Sequence, residues 1–403
     1  MFGMSNKKLL FFSLFKIESI DDQGIYPDLL GQFSLNNFDI YILSPSERGD
    51  KKTRRIIKKD NVTIIQVKSL KTQKTNKIEK LISSLSLEFL FLRAYRKELN
   101  NIEFDIVLMP TPTIFVNNFL KQIKLSKKGF IYLLLKDIFP QNAIDLNFMK
   151  SNSIVTRFFE KIENKLYANV DYIGCMSPEN KRFLINNRSV NKNKVEVNPN
   201  SLDLSRYPIL EKDTFRKSEN ILKDDLIFVY GGNLGKPQGI EKIMKLAKYL
   251  ETQNSIYFII CGKGTESNNL KKFIKKENLK KTKTFSNLTK LEYLQIVKES
   301  NMGFVFLHKS FSIPNYPSRI LDYMNYKLPV FSWTDNVSDV GDVFINNNAG
   351  FSFKYEDDFS EIKSVINNLN PQELRIMGEN SYEVLVNNFQ SKKSYELIAK
   401  KLK

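Results

Sequence analysis

The sequence predicts an α/β protein of two tandem doubly wound domains that face each other across a cleft. Three observations carry this expectation. Short apolar runs rich in β-branched and aromatic residues alternate with helical segments, and the whole series occurs twice. The runs are apolar nearly throughout rather than alternating, as in parallel strands covered on both faces. The chain has 403 residues, beyond the roughly 250–300 at which a single core stops growing.

Element by element, the first half supplies KKLLFFSL, FDIYILS, NVTIIQV, FDIVLMP, GFIYLLLKD, DYIGCMS and VEVNPN as strands. The second half supplies DLIFVYGG, SIYFIICGKG, KTFSNL, GFVFL, PVFSW and GFSF. Between the two series, NSLDLSRYPILEKDTFRKSENILKDD (200–225) is polar and has no such run. The boundary therefore belongs there, giving Rossmann-like domains over 1–205 and 206–380. A last helix over 381–403 is long enough to cross back and brace the first domain. Ligands of doubly wound sheets bind beyond the carboxyl ends of the strands, so the site is expected in the cleft.

Composition narrows the partners. Hydrophobic residues at 42% are ample for packed cores and exclude global disorder. The 62 Lys+Arg outnumber the 44 Asp+Glu for a net charge of +18, which calls for an anionic partner: nucleic acid, nucleotide or an acidic membrane surface. Residues 51–100 hold 14 basic and 4 acidic residues, an excess of +10 in one eighth of the chain. There KKTRRIIKK (51–59) reads as a charged loop. It leads to a helix, IEKLISSLSLEFLFLRAYRKEL, that is apolar nearly all round at Leu87–Leu92. This 51–99 segment is either a partly buried domain helix with a solvated loop, or an interfacial helix drawn to anionic lipid. Cys175 and Cys261 each end an apolar run without a CxxC partner and read as buried, reduced thiols. The N-terminal apolar run is short, lacks a small-residue cleavage site and reads as a first strand. No run approaches the roughly 18 apolar residues of a membrane span. The expected location is cytoplasmic.

Three strand ends in the second half collect the candidate chemistry. VYGGNLGKPQGIEKIMKLAKYL (229–250) ends a strand at Gly231–Gly232 and is expected to start a helix near Pro237. Glycines admit close backbone approach and a helix N-terminus favours an anion; the plain alternative is a tight strand-to-helix turn. Neither the Walker pattern nor GxGxxG is present. FIICGKGTESNNLKKF places Gly262-Lys263-Gly264 in an equivalent position. IPNYPSRILDYMNYKLPVFSW (313–333) opens a short helix with Ser318 as a cap. A capping box would need its acid at position 321, which is Leu, so Asp322 is not the capping acid. Asp322 either pairs with Arg319 at i,i+3, for about 0.2–0.5 kcal/mol, or joins Arg319 in ligand recognition. In the second reading Arg319 takes a phosphate and Asp322 a sugar hydroxyl. Together the three strand ends point to a nucleotide diphosphate-sugar.

These motifs, YGGNLGKPQGIEKI, ICGKGTESNNLKKF and YPSRILDYMNYKLPVF, resemble the C-terminal domain of retaining GT-B glycosyltransferases of family 4. The branch that builds bacterial O-antigen, capsule and colanic-acid units is the most similar, and YLLLKDIFPQNAIDL and VEVNPNSLD extend the likeness into the first domain. The resemblance implies a donor diphosphate held at Gly231, Gly232 and Gly235. Asn233 and Gln238 stand where many members carry Arg and Lys, with Lys236 between them to supply charge. It implies Asp322 on the ribose, with Pro314 where a first acid would meet the sugar, and Phe285, Ser286 and Asn287 lining the base. Ser318, Gly262 and Lys263 complete the donor set. The chemistry implied is retaining, needs no metal or other cofactor, and is electrostatic, with Lys236 and Arg319 on the departing diphosphate. Asp137, ending the strand in LLLKDIFPQ, is expected to orient the acceptor hydroxyl or act on it as a base, the plain alternative being a helix or loop cap, and Gly24 in SIDDQGIYPDLLGQF marks the flexible acceptor loop. The branch suggests a UDP-linked N-acetylhexosamine or a 6-deoxy variant such as FucNAc. It suggests a polyprenyl-diphosphate acceptor, and peripheral attachment to the inner membrane face through 51–99. His308, the only histidine, is either a titrating group or a core-edge residue. One histidine disfavours a nucleotide-sugar 2-epimerase of the same fold. A nucleic-acid binder would need aromatic and basic residues interleaved on one surface, and here the charges gather on a loop and a helix.

Overall fold

The computed structural model describes residues 6–46, 54–68, 77–211, 213–253 and 255–402, and divides into two units, 1–206 with 390–403, and 207–389.

The first unit contains strands β1 (Lys7–Phe12), β2 (Phe38–Ser46), β3 (Arg54–Lys59), β4 (Val62–Lys68), β5 (Phe104–Pro110), β6 (Leu125–Leu135), β7 (Tyr172–Cys175) and β8 (Val195–Val197). Its helices are α1 (Ile25–Leu35), α2 (Lys77–Glu98), α3 (Asn117–Leu120), α4 (Gln141–Asp145), α5 (Ile154–Asn169) and α6 (Pro178–Asn187). The sheet order is β3-β4-β2-β1-β5-β6-β7-β8, parallel except for β3. Chain order reverses between β1 and β5, which makes their carboxyl ends the crevice of this sheet.

The second unit contains α7 (Thr214–Glu219), β9 (Leu226–Gly231), α8 (Ile240–Leu250), β10 (Ile256–Cys261), α9 (Ser267–Lys276), β11 (Thr282–Phe285) and α10 (Lys290–Glu299). There follow β12 (Met302–Phe306), α11 (Arg319–Asn325), β13 (Val330–Thr334), α12 (Asp342–Asn346), β14 (Gly350–Lys354), α13 (Phe359–Asn367) and α14 (Pro371–Asn388). All its strands are parallel, in the order β11-β10-β9-β12-β13-β14, and the reversal falls between β9 and β12. Phenylalanines fill this core: Phe228, Phe258, Phe304, Phe306 and Phe331 are fully buried, and Phe304 stacks on Phe331 at 4.8 Å between centroids.

Side-chain caps hold the heads of two helices. Ser153 Oγ accepts from the Thr156 amide at the head of α5, and Thr289 forms a capping box with Glu292 at the head of α10.

Three expectations need correction. Residues 54–59 form no loop: they are β3, antiparallel to β4 at the sheet edge. An edge strand pairs on one side only, so it tolerates lysines that a central strand would reject; residues 51–53 of the same basic run lie outside the described residues. Helix α2 is not apolar all round in effect. Leu87, Phe91, Ala94 and Tyr95 turn inward, at i, i+4, i+7 and i+8, while Phe89 is exposed. The 381–403 stretch is not one helix. α14 ends at Asn388, and α15 (Ser391–Ala399) belongs to the first unit, where Tyr395 packs edge-on against Phe33 at 4.9 Å. Both cysteines are buried and unpaired, and burial pushes each thiol up to about 12. No helix among the described residues is long and apolar enough to cross a membrane.

Candidate active site

In the second unit, two glycine turns are pressed together at the carboxyl ends of β9 and β10. The Gly232 amide donates to the Cys261 carbonyl at 2.8 Å, and the Leu234 amide to that of Lys263 at 2.8 Å. The Gly262 amide continues the chain of contacts to the Phe285 carbonyl, 2.8 Å away at the end of β11. A Cβ on Gly262 would lie 1.8 Å from the Gly232 oxygen, and one on Gly264 would lie 2.1 Å from that of Leu234. These glycines are therefore required by packing between loops, quite apart from any ligand. Gly232 has φ 141°, a conformation that side chains rarely adopt.

The helix expected near Pro237 begins later. Lys236–Gln238 make one 3₁₀ turn, Gly239 turns left-handed at φ 55°, and α8 starts at Ile240. Asn233 Nδ2 donates to Gln238 Oε1 at 3.4 Å, so the two residues that replace a cationic pair bridge the turn to each other. Lys236 is half-buried within it, and Lys263 and Asn287 are exposed.

Arg319 heads α11, and its guanidinium lies under this turn. Its central carbon sits 4.6 Å from the Tyr230 ring centroid, and Nη2 would be 2.8 Å from a Cβ on Gly232. Nη1 is buried with no hydrogen-bond partner, as is the Tyr293 hydroxyl beside Gly231. The Tyr323 hydroxyl donates to the Phe304 carbonyl at 3.3 Å and accepts from the Gly231 amide at 2.9 Å. Burial holds the phenols of Tyr230, Tyr293 and Tyr323 above their ordinary range, so they remain neutral donors. An unmet buried N–H costs about 1–3 kcal/mol, more on a charged group. The aromatic cage was not legible beforehand, because Tyr230, Tyr293 and Tyr323 lie on three separate elements.

Asp322 does not pair with Arg319. Its oxygens accept from Lys290 Nζ at 2.7 and 2.8 Å and from the Tyr207 hydroxyl at 2.9 Å. These contacts occupy three of the carboxylate's four lone-pair directions and leave one open. Ser318 makes no side-chain cap bond and is exposed. Pro314 is buried, and the adjacent Asn315 amide donates to Ser338 Oγ at 2.9 Å. Ser338 is in turn held by the fully buried Asp335, which accepts from the Val337 and Ser338 amides. The 313–318 loop is thus braced from behind.

His308 follows β12 at the point of reversal. Its amide donates to the Pro237 carbonyl at 2.9 Å, and its Nδ1 accepts from the Ser310 amide at 3.2 Å. Burial lowers its pKa, with Lys236 pulling the same way and Glu241 opposing. Close by, Lys242 is buried and donates to the Leu307, Trp333 and Thr334 carbonyls at 3.3, 3.1 and 3.1 Å, a clamp across two strand ends.

The first unit holds Asp137 and Gly24. Thr111 Oγ1 accepts from the Lys136 and Asp137 amides, both at 2.8 Å, which draws the end of β6 to that of β5. The Asp137 carboxylate accepts from Asn142 Nδ2 at 2.7 Å and so braces α4. Its neighbour Lys136, which the sequence did not single out, donates to the Asn198 carbonyl at 3.3 Å, and burial lowers its ammonium to about 7. The Asn198 side chain donates to Tyr132 and accepts from Ser394 Oγ of α15.

Gly24 precedes α1, and its carbonyl accepts from the Asp28 amide at 2.8 Å. Asp28 is fully buried and accepts from the Asp203 amide at 2.9 Å. Burial raises its carboxyl from 3.8 to about 6, against the pull of that amide and of Arg206. Between those values the folded chain holds a proton that the unfolded chain has lost, so stability falls as pH rises through the window. Asp28→Asn is expected to remove this part of the slope. Urea midpoints of both proteins on either side of the window check it, and parallel pH profiles would refute it.

Comparison with known proteins bears on the class of enzyme and on the fold. The family described as glycosyl transferases group 1 matches residues 211–384, within the second unit. An uncharacterized glycosyltransferase of Methanocaldococcus jannaschii is 27% identical over 168 residues, 41% of this chain and 40% of its own. The probable glycosyltransferase WbjE of Pseudomonas aeruginosa is 20% identical over 225 residues, 56% of each chain. The chain thus spans about half the length of the curated relatives it matches. A solved structure described as trehalose-6-phosphate from E. coli bound with UDP-2-fluoro glucose aligns over 98% of this chain and 99% of its own, with a TM-score of 0.75 at 11% identity. A likeness at that identity is one of fold. The fold is of the GT-B class.

Proposed function

We propose that the protein transfers a sugar from a nucleotide-diphosphate donor to an acceptor hydroxyl, as a retaining, metal-independent glycosyltransferase of family 4. The observation that carries the reading is the buried, unpartnered Arg319 N–H beneath the Gly231–Gly232 turn, at the point where strand order reverses. A diphosphate oxygen over that turn is an acceptor of the kind it lacks. Arg319 and Lys236 would then stabilise the charge on the departing diphosphate, in a site organised before substrate arrives. Gly232, Gly235, Asn233 and Gln238 would follow the diphosphate. Gly262, Lys263, Phe285, Ser286 and Asn287 would border the nucleoside, beside Ser318.

Asp322 would take a ribose hydroxyl on its open lone pair, with Lys290 and Tyr207 fixing its rotamer. The curated WbjE relative is a probable glycosyltransferase, and the E. coli structure is bound with a UDP-sugar analogue. The first supports sugar transfer and the second a UDP-linked donor; the sugar we propose is an N-acetylhexosamine or a 6-deoxy variant such as FucNAc. On the first unit, Asp137 would orient an acceptor hydroxyl beside the Gly24 loop. The acceptor we propose is a polyprenyl-diphosphate-linked sugar at the inner face of the cell membrane, in surface polysaccharide assembly.

A thermal-shift panel of nucleotide-sugars, followed by transfer to a lipid-linked acceptor in EDTA, tests the reading. No shift with any donor and no transfer would overturn it. Asp322→Asn keeps an acceptor for Tyr207 but weakens the ribose contact. It is expected to raise the Kd for UDP about tenfold, the value of a charge-assisted hydrogen bond. Calorimetry giving the wild-type Kd would remove Asp322 from the site.

A further inference from the structure

Four large apolar side chains on α5 and in the loop before it are exposed to solvent. Phe148 is 51% exposed, Ile154 87%, Val155 57% and Phe158 53%. Single exposed apolar residues need no explanation, but four within residues 148–158 do. Ile154, Val155 and Phe158 share the outer side of the first two helical turns, and Phe148 lies in the loop just before them. The outward aspect of this side is fixed by what the helix buries. Thr156, Phe159, Glu163, Leu166 and Tyr167 face inward, and the Phe159 ring packs on Phe115 at 5.7 Å and on Phe139 at 5.1 Å. Lys150, Arg157 and Lys161 are exposed around the patch; the acids that flank it, Asp145 and Glu160, are half-buried, and the net charge over 145–161 is +1.

The patch also has a defined place in the sheet. α5 connects parallel strands β6 and β7, so it runs back against them and its head lies at their carboxyl edge. That edge carries Lys136 and Asp137, and Asp137 is tied to α4 through Asn142.

We infer that the head of α5 is a membrane-docking surface for an anionic lipid bilayer. Phe148, Ile154, Val155 and Phe158 enter the boundary between headgroups and acyl chains, and Lys150, Arg157 and Lys161 lie on the anionic headgroups. This surface differs from the 51–99 segment, where the described side chains of α2 turn Leu87, Phe91, Ala94 and Tyr95 into the core. Docking itself stands on the exposed patch alone. Its consequence for acceptor choice rests on the transferase reading: the edge bearing Asp137 would face the lipid, where a lipid-linked sugar is presented.

The test is co-sedimentation with vesicles of phosphatidylglycerol and phosphatidylcholine in equal parts, against phosphatidylcholine alone. The intact chain is expected to sediment with the anionic vesicles only. Ile154→Ser with Phe158→Ser, and separately Arg157→Glu with Lys161→Glu, should each reduce partitioning about tenfold. Lys58→Glu on the exposed edge of β3 serves as the charge control and should bind as wild type. Unchanged far-UV circular dichroism and thermal midpoints keep the comparison on folded protein. The inference is overturned if the intact chain stays in the supernatant, if the α5 variants sediment like wild type, or if Lys58→Glu loses as much as they do. It is also overturned if light scattering shows a dimer that the apolar variant dissociates while vesicles bind neither protein; the patch then belongs to a second copy. Vesicle binding by a chain that gives no thermal shift with any nucleotide-sugar would leave docking standing and sink the transferase reading.

Discussion

Replacing Arg319 by Met is expected to lower kcat/KM for sugar transfer by about 10²–10³, the usual effect of removing a preorganised donor from developing negative charge. The fold should tolerate the change. Met fills a similar volume over Tyr230, and the substitution removes a buried N–H that has no partner, which offsets the lost stacking. Arg319→Lys should recover little of the activity. A compact ammonium neither stacks on Tyr230 as a plane nor spans from the cage to the Gly232 turn, although its charge is the same. Steady-state kinetics on the two variants, with calorimetry of UDP binding, separate the effects. A loss confined to KM would mark Arg319 as a uniform binder of the diphosphate, and a loss in kcat as a transition-state contact. Wild-type kcat/KM in Arg319→Met would remove this residue from the mechanism.

The second large effect is expected at Gly262. In Gly262→Ala the new methyl would sit 1.8 Å from the Gly232 carbonyl oxygen, and the obstacle is backbone. Neither loop can yield freely. The Gly232 amide is bonded to Cys261 and the Gly262 amide to Phe285, so moving one turn strains two strand ends. A destabilisation of about 3 kcal/mol or more is expected, at the upper end for overpacking, together with loss of donor binding as Gly232 shifts. Gly235→Ala is the contrast. Its methyl would meet the movable Asn233 amide at 2.9 Å, and φ is an ordinary −121°. Stability there should change by less than about 1 kcal/mol. Trp333, the sole tryptophan, is buried in the same sheet, so its fluorescence follows unfolding of this unit in urea. Equal midpoints for the two variants would show that the glycine turns are not packed as described.

The strand pattern was largely legible because a parallel strand covered on both faces must be apolar at nearly every position. FDIYILS, FDIVLMP and LIFVYG carry that requirement in their composition. The exception, Arg54–Lys59, pairs on one side only, so nothing in its own chemistry demands a hydrophobic run. The short helices were legible only roughly. Pro237 marks the start of a turn, but the left-handed Gly239 delays the α-helix to Ile240. At the site, glycines after strands were visible as glycines, but their reason was not. Two of them are required because the turns following β9 and β10 touch, a contact between residues about thirty positions apart.

By itself, the sequence determined two doubly wound α/β units and the strand ends at which their chemistry gathers, because strand burial and turn geometry are local requirements written in composition. Tertiary structure alone decided the partners. Asp322 belongs to Lys290 and Tyr207 rather than to Arg319, three residues before it. Arg319 lies instead among Tyr230, Tyr293 and Tyr323, with one N–H unmet. Long side chains such as these reach whatever packing brings near, and packing across strands separated by dozens of residues leaves no periodic trace in the sequence.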